Sequence, residues 1–161
     1  MKTRIEKTAI IEPGAIIGEN CYIGHYVIIR PGVIIGDNSE IRAHCFIAAK
    51  AKIGSGTNIY QFSNICRDAI IEDNVFIGQG VVMTNTKKIA FKRVYDDISQ
   101  APYIEYGARI GGGVTICPNV IIGRNSTIGA GSVVTGSTDP NFLYYGNPAK
   151  KIKMIGDDEV I

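Results

Sequence analysis

The chain has 161 residues, 17 Lys+Arg against 15 Asp+Glu, 45% hydrophobic and 20% charged content, 19 glycines and no tryptophan. That length suits one domain, and the composition excludes a disordered chain. A net charge of +2 is too small to make nucleic acid or an anionic membrane the main partner, and no apolar run reaches the roughly 20 residues of a membrane span.

The amino terminus, MKTRIEKTAIIEPG, is broken by charge and Pro before a signal-peptide core can form. Cys21, Cys45, Cys66 and Cys117 show no C-x-x-C spacing, so neither a zinc knuckle nor a redox pair is indicated. Reduced thiols in a cytoplasmic protein are expected.

From Ile5 the sequence becomes periodic. Isoleucine recurs every six residues from Ile5 to Ile77, Met83 takes the next place, and a second run goes from Ile104 through Ile128 to Val134. A period of six fits neither a helix nor one long strand, so turns must recur inside it. Counted from each Ile, position five is small or β-branched (Ala9, Cys21, Val27, Ser39, Ala51, Thr57). It lies two residues before the next Ile, hence on the same interior face of a short strand. Position four is mostly Gly, Asn or Asp, the types that enter the left-handed region cheaply. Strand, corner, strand, corner predicts a solenoid of stacked parallel strands over about residues 5–84 and 103–138. Position six should point outward and is often apolar (Ile10, Ile16, Ile28, Ile34, Phe46, Ile70, Phe76, Val82), which predicts faces buried between subunits.

Residues 18 apart should stack at one corner of a three-sided coil. At the corner after Ile5, Ile23, Ile41, Ile59 and Ile77 the turn positions include His25/Tyr26, His44, Gln61/Phe62 and Gln79/Gly80, with Arg42 and Tyr60 just before the turns. Both histidines of the chain stand here, and Tyr26, His44 and Phe62 replace the usual Gly or Asn. A ring has no conformational motive there, so the corner is a candidate binding surface, or else a stacking device between coils. Its continuation is Gly112/Gly113 and Ala130/Gly131, which leaves room for an extended ligand.

The 21 residues from Met83 to Ile104 are not a multiple of six, so a loop leaves the solenoid over about 84–102, with Lys87, Lys88, Lys92 and Arg93 able to reach phosphates. The tail, 139–161, has no clear pattern, and a short terminal helix is its expected end.

The hexads resemble those of the hexapeptide-repeat acyltransferases, all-β proteins whose left-handed parallel β-helix uses three hexads per coil. VFIGQGVVMTNT before the loop, APYIEYGARIGGGVTICPNVIIGRNSTIGAGSVVT after it and the closing Gly146-Asn147-Pro148-Ala149-Lys150 are similar to the N-acetyltransferases of nucleotide-linked 3-amino sugars. The resemblance implies a homotrimer with acetyl-CoA in a groove between subunits along the later coils. Gly113 and Gly131 would flank its pantetheine arm, and Lys150 or Lys151 would meet its phosphates. Asn85 matches the loop-entry Asn beside the reacting amine, and His25 a His of the early coils; Gly24 stands where the relatives often carry an aromatic. Residues 11–65 also resemble the acyltransferase that opens lipid A synthesis, without its catalytic His region.

Acyl transfer needs a nucleophile, a proton acceptor and oxyanion donors. No His follows His44, which favours acylation of an amine, itself nucleophilic when neutral, over that of a hydroxyl. The candidate site is therefore Asn85, His25 and His44 for catalysis, with Tyr26, Arg42, Tyr60, Gln61, Phe62, Lys92 and Arg93 for the acceptor. The alternatives are an O-acetyltransferase using His25 or His44 as base and a non-catalytic scaffold. Two histidines are too few for the three-His zinc site of the γ-carbonic anhydrases, so no metal is expected.

Overall fold

The fourth position of each hexad decides the path of the backbone. In the computed structural model, which describes residues 2–89, 91, 100–156, 158 and 160–161, that position has φ between +54° and +83° from Gly14 to Gly80 and from Gly107 to Gly131. A left-handed residue every sixth place turns the chain through a corner, so no strand between corners exceeds two residues. Among the described residues, twenty such strands, Arg4–Ile5 to Val133–Val134, sort into three parallel sheets. The first holds Ile5, Ile23, Ile41, Ile59, Ile77, Ile110 and Ile128. The second holds Ile11, Ile29, Ile47, Ile65, Met83, Ile116 and Val134. The third holds Ile17, Ile35, Ile53, Ile71, Ile104 and Ile122. Ile41 pairs with Ile59 and Ile59 with Ile77, the expected 18-residue step. Across the loop the register survives intact, Ile77 meeting Ile110. The result is the left-handed parallel β-helix of about seven coils that the hexads predict.

The interior is a set of isoleucine columns. Ile23, Ile29, Ile41, Ile47, Ile59, Ile65, Ile77 and Ile110 are fully buried, with Val27, Ala51, Ala69 and Val81 filling the gaps at position five. Each such side chain contributes roughly 1.5–3 kcal/mol by leaving water. Ile5 stays 45% exposed because the first coil is covered from one side only. Where position five is polar, its hydroxyl joins the ladder. Ser39 Oγ donates to the Gly54 carbonyl (2.9 Å) and accepts the Thr57 N–H (3.2 Å). Thr57 repeats this one coil later with Glu72 and Val75.

The three outer faces differ. The second sheet presents Ile10, Phe46 and Val82, and the third Ile16, Ile34, Ile70 and Ile121, all exposed. The first is mixed: the Arg42 guanidinium lies 5.8 Å from the Tyr22 ring centre and 5.4 Å from that of Tyr60.

The tail departs from expectation. Phe142–Gly146 and Ala149–Met154 form an antiparallel hairpin that extends the first sheet, Thr127 meeting Leu143 and Ile128 meeting Tyr144. Buried Tyr144 takes the column's next place, and its hydroxyl accepts the Asp139 N–H. The expected terminal helix falls partly on residues 157 and 159, outside the described residues.

Candidate active site

The corner between the first and second sheets carries Thr8, Tyr26, His44, Phe62, Gly80, Gly113 and Gly131 at successive levels, as the 18-residue step requires. The three rings form a stack. Tyr26 and His44 lie 5.0 Å apart between ring centres at 19°, and His44 and Phe62 5.0 Å apart at 9°. All three residues are left-handed, with φ of +58°, +60° and +62°. Phe62 remains 65% exposed and Tyr26 57%. Above Phe62 the corner opens: a Cβ at Gly80, Gly113 or Gly131 would meet nothing within 4 Å. A bulky side chain there would lose the easy left-handed turn and close the column.

The two histidines are held differently. His25 Nδ1 lies 2.9 Å from Thr8 Oγ1, and His25 Nε2 3.5 Å from Glu6 Oε2. Thr8 Oγ1 also accepts the Tyr26 N–H at 3.1 Å. In the neutral ring the Thr8 hydroxyl therefore donates to Nδ1 while the Nε2–H faces the Glu6 carboxylate. The His25 lone pair is thus occupied. His44 is held by the faces of its ring; the residue is exposed, and neither ring nitrogen has a partner among the described residues. The sequence places Thr8 at this corner, beside Lys7, but gives neither its bond to His25 nor the part of Glu6. The 18-residue offset that places Thr8 under Tyr26 was the available signal.

Arg42, Tyr60 and Gln61 line the same corner. Arg42 pairs with Glu40 at 2.5 Å, so its charge is partly answered within the chain, and Tyr60 packs at a tilt of 56° against Phe76, 5.1 Å between ring centres. Toward the tail, the Gly146 N–H donates to Ser132 Oγ at 3.1 Å. The hairpin tip, with a cis bond before Pro148, therefore sits beside the level of Gly131. Lys150 is exposed there. Lys151 is engaged elsewhere: its Nζ bonds Asp139 Oδ2 at 2.8 Å and covers the Phe142 ring, holding the Asp139 carboxyl below its usual range. Of the two candidate phosphate ligands, Lys150 has the freer ammonium.

Asn85 lies on a different corner, between the second and third sheets, because the loop leaves from the second-sheet residue Met83. It keeps the corner pattern one level above Arg67, whose carbonyl accepts its Nδ2–H at 3.3 Å. Its Oδ1 is thereby left as an acceptor. Within one chain the apolar second sheet separates Asn85 from His25 and His44. The loop base is pinned by the Lys87 N–H donating to Gln100 Oε1 at 3.0 Å; Lys92 and Arg93 lie outside the described residues. Burial pushes the Cys45 thiol up to about 11 and that of Cys66 up to about 12, so neither is a nucleophile. Among the described residues no cluster of His, Cys, Asp and Glu could hold a metal ion, and no helix is long and apolar enough to cross a membrane.

Two family models match the chain: the GMPPB C-terminal domain over residues 1–104, and the bacterial transferase hexapeptide (six repeats) over residues 102–136. A serine acetyltransferase of Salmonella typhimurium is 36% identical over 111 residues, covering 68% of this chain and 38% of the relative. A galactoside O-acetyltransferase of Lactococcus lactis is 32% identical over 111 residues, 65% of this chain and 54% of the relative. The chain thus spans about half the length of these relatives or less. A hexapeptide-repeat acetyltransferase of Vibrio cholerae, solved with acetyl coenzyme A, shares the fold at 23% identity and a TM-score of 0.55, over 84% of this chain and 71% of that one.

Proposed function

The chain belongs to the hexapeptide-repeat family represented by the GMPPB C-terminal domain, and from that membership we propose that it is an acetyl-CoA-dependent acetyltransferase acting on the amino group of a nucleotide-linked amino sugar. The observation that carries the acyl-CoA part is the open glycine corner of Gly113 and Gly131, which runs to a hairpin tip bearing exposed Lys150. An extended thioester chain fits along such a column, with its phosphates toward the lysine. The acetyltransferase names of the relatives support the same reading.

The neutral sugar amine attacks the thioester carbonyl carbon, the carbonyl electron pair moves to oxygen, and collapse of the tetrahedral adduct breaks the C–S bond. The amine's surplus proton leaves to solvent or to the departing thiolate. The Gly113 N–H is already spent on the Gln79 carbonyl at 2.7 Å, and that of Gly131 on Gly112 at 2.9 Å. The oxyanion donors left at this corner are the amides one residue earlier, of Gly112 and Ala130. Asn85 Oδ1 is an acceptor suited to an amine N–H. Since Asn85 stands on another corner, it would serve the column of a neighbouring subunit in a homotrimer packed through the apolar second and third sheets.

A second reading, O-acetylation, is favoured by two observations: His44 is exposed and its ring nitrogens have no partner among the described residues, and one relative is a galactoside O-acetyltransferase. The acyl-CoA part is tested by calorimetric titration of acetyl-CoA into wild type and Gly131→Asn. Asn suits the left-handed corner yet fills the column, so affinity should drop at least about tenfold with the fold intact. Equal affinity in the two proteins, or none in wild type, contradicts the reading.

A further inference from the structure

The ring stack ends abruptly. Tyr26, His44 and Phe62 repeat at 5.0 Å intervals between ring centres, close to the spacing of stacked strands. The next level brings Gly80, where a Cβ would meet nothing within 4 Å. One face of Phe62 lies on His44; the other points toward open space. Outside this corner, Lys50 is, among the described residues, the sole position-four residue with positive φ that is not Gly, Asn or Asp. Three rings in succession are therefore a costly choice wherever a Gly or Asn would turn the chain more easily. Stacking between coils accounts for the two inner contacts and leaves the exposed face of Phe62 unexplained.

We propose that this face is the seat of a flat nucleotide base, which stacks on Phe62 at the level of Gly80 as the fourth ring of the column. The edge of such a base meets the side-chain amides of Gln61 and Gln79, the third-position residues of the same two coils. The side-chain oxygen Oε1 of Gln79 lies on the upper side of this level, 3.4 Å from where a Gly112 Cβ would stand. An amide offers both a donor and an acceptor, the pair that a base edge requires. Ring stacking tolerates any base, so the seat recognises the shared π-face and the glutamines read the edge. The identity of the base rests on the function proposed above: with the CoA phosphates toward Lys150, at the far end of the column, the base at Phe62 is that of the acceptor nucleotide.

The chain contains no tryptophan, so Phe62→Trp places a single indole at the seat. Its fluorescence should be quenched by UDP, dTDP, GDP, ADP or CoA and left unchanged by pyrophosphate. By calorimetry, Phe62→Asn and Gly80→Asn both retain a corner residue that this chain uses repeatedly. The first removes the ring and the second fills the space above it. Each should weaken nucleotide binding roughly 5- to 150-fold, the worth of one stacked base. Dependence with UDP, dTDP or GDP assigns the seat to the acceptor; dependence confined to ADP and CoA overturns that assignment and the placing of the CoA phosphates at Lys150. Nucleotide affinity unchanged in both Asn variants, or no greater than that of pyrophosphate in wild type, overturns the proposal. Thiol release from acetyl-CoA, measured separately, keeps the two claims apart. Turnover with a base-indifferent Phe62 sinks the seat alone, and a base-dependent Phe62 without turnover sinks the acetyltransferase alone.

Discussion

The imidazole of His44 lies flat on the phenyl ring of Phe62, 5.0 Å between centres and 9° from parallel. The two residues are 18 apart in sequence, so the β-helix register alone puts them one coil apart at the same corner. The contact immobilises the imidazole by its faces and leaves its nitrogens at the edge. His25, one coil lower, is instead tied through its nitrogens to Thr8 and Glu6.

This difference makes the histidine variants diagnostic. With an amine acceptor, His25→Ala and His44→Ala should mainly raise the acceptor KM and retain part of kcat, since no strong base is needed. With a hydroxyl acceptor, His44→Ala should abolish kcat and leave acetyl-CoA affinity intact. Steady-state kinetics on both variants separates the cases. Glu6→Gln should perturb the enzyme only as far as His25→Ala does.

Asn85→Ala should lower kcat on the order of 10- to 1000-fold with acetyl-CoA affinity preserved. Among the described residues the side chain bonds only the Arg67 carbonyl, at a corner where the loop begins, so the strands should be unchanged by circular dichroism. Full activity of this variant would remove Asn85 from the site.

The thiols give a pH signature. Burial disfavours the thiolate, so Cys45 and Cys66 ionise in the fold only near pH 11 and 12, against 9.0 in the open chain. The native state keeps protons that the unfolded state loses, and stability should fall as pH rises from about 9 toward those values. At pH 8 a thiol-specific reagent should modify half-buried Cys117 first and reach Cys21, Cys45 and Cys66 only on unfolding. Rapid modification of all four in the native protein would contradict the buried columns.

The apolar rows predict the assembly. Sedimentation should give a species about three times 17.4 kDa. Phe46→Glu places a charge in the second-sheet row and should yield a protein near 17.4 kDa with its strands retained. A wild-type monomer that turns over substrate would sink both the trimer and a site shared between subunits.

Most of the solenoid was legible because its period comes from two local rules, a left-handed corner at Gly14, Asn20 or Asn38 and an inward Ile three residues later. Those rules act within six residues and leave a mark in the string. The hairpin left none: Phe142 to Met154 is paired across a turn and held by Tyr144 entering the column, a long-range contact. The corner of His25, His44 and Phe62 could be assembled from the 18-residue step. The ties of His25 to Thr8 and Glu6 depend on side-chain direction, which spacing does not give. Nor did spacing show that Lys151 is taken by Asp139, although the same count does put Asn85 one corner away from the histidines. Fold is written in repeating local choices, whereas the site depends on single side chains and on the neighbour they face.

Release of CoA thiol from acetyl-CoA, measured against a panel of nucleotide-linked amino sugars and simple alcohols, tests the central claim most directly. The account predicts turnover with at least one amino-sugar nucleotide and a product carrying an amide by mass spectrometry. Turnover only with hydroxyl acceptors would contradict N-acylation and promote His44 to the base. Absence of both turnover and acetyl-CoA binding would contradict the enzyme altogether and leave the β-helix a scaffold.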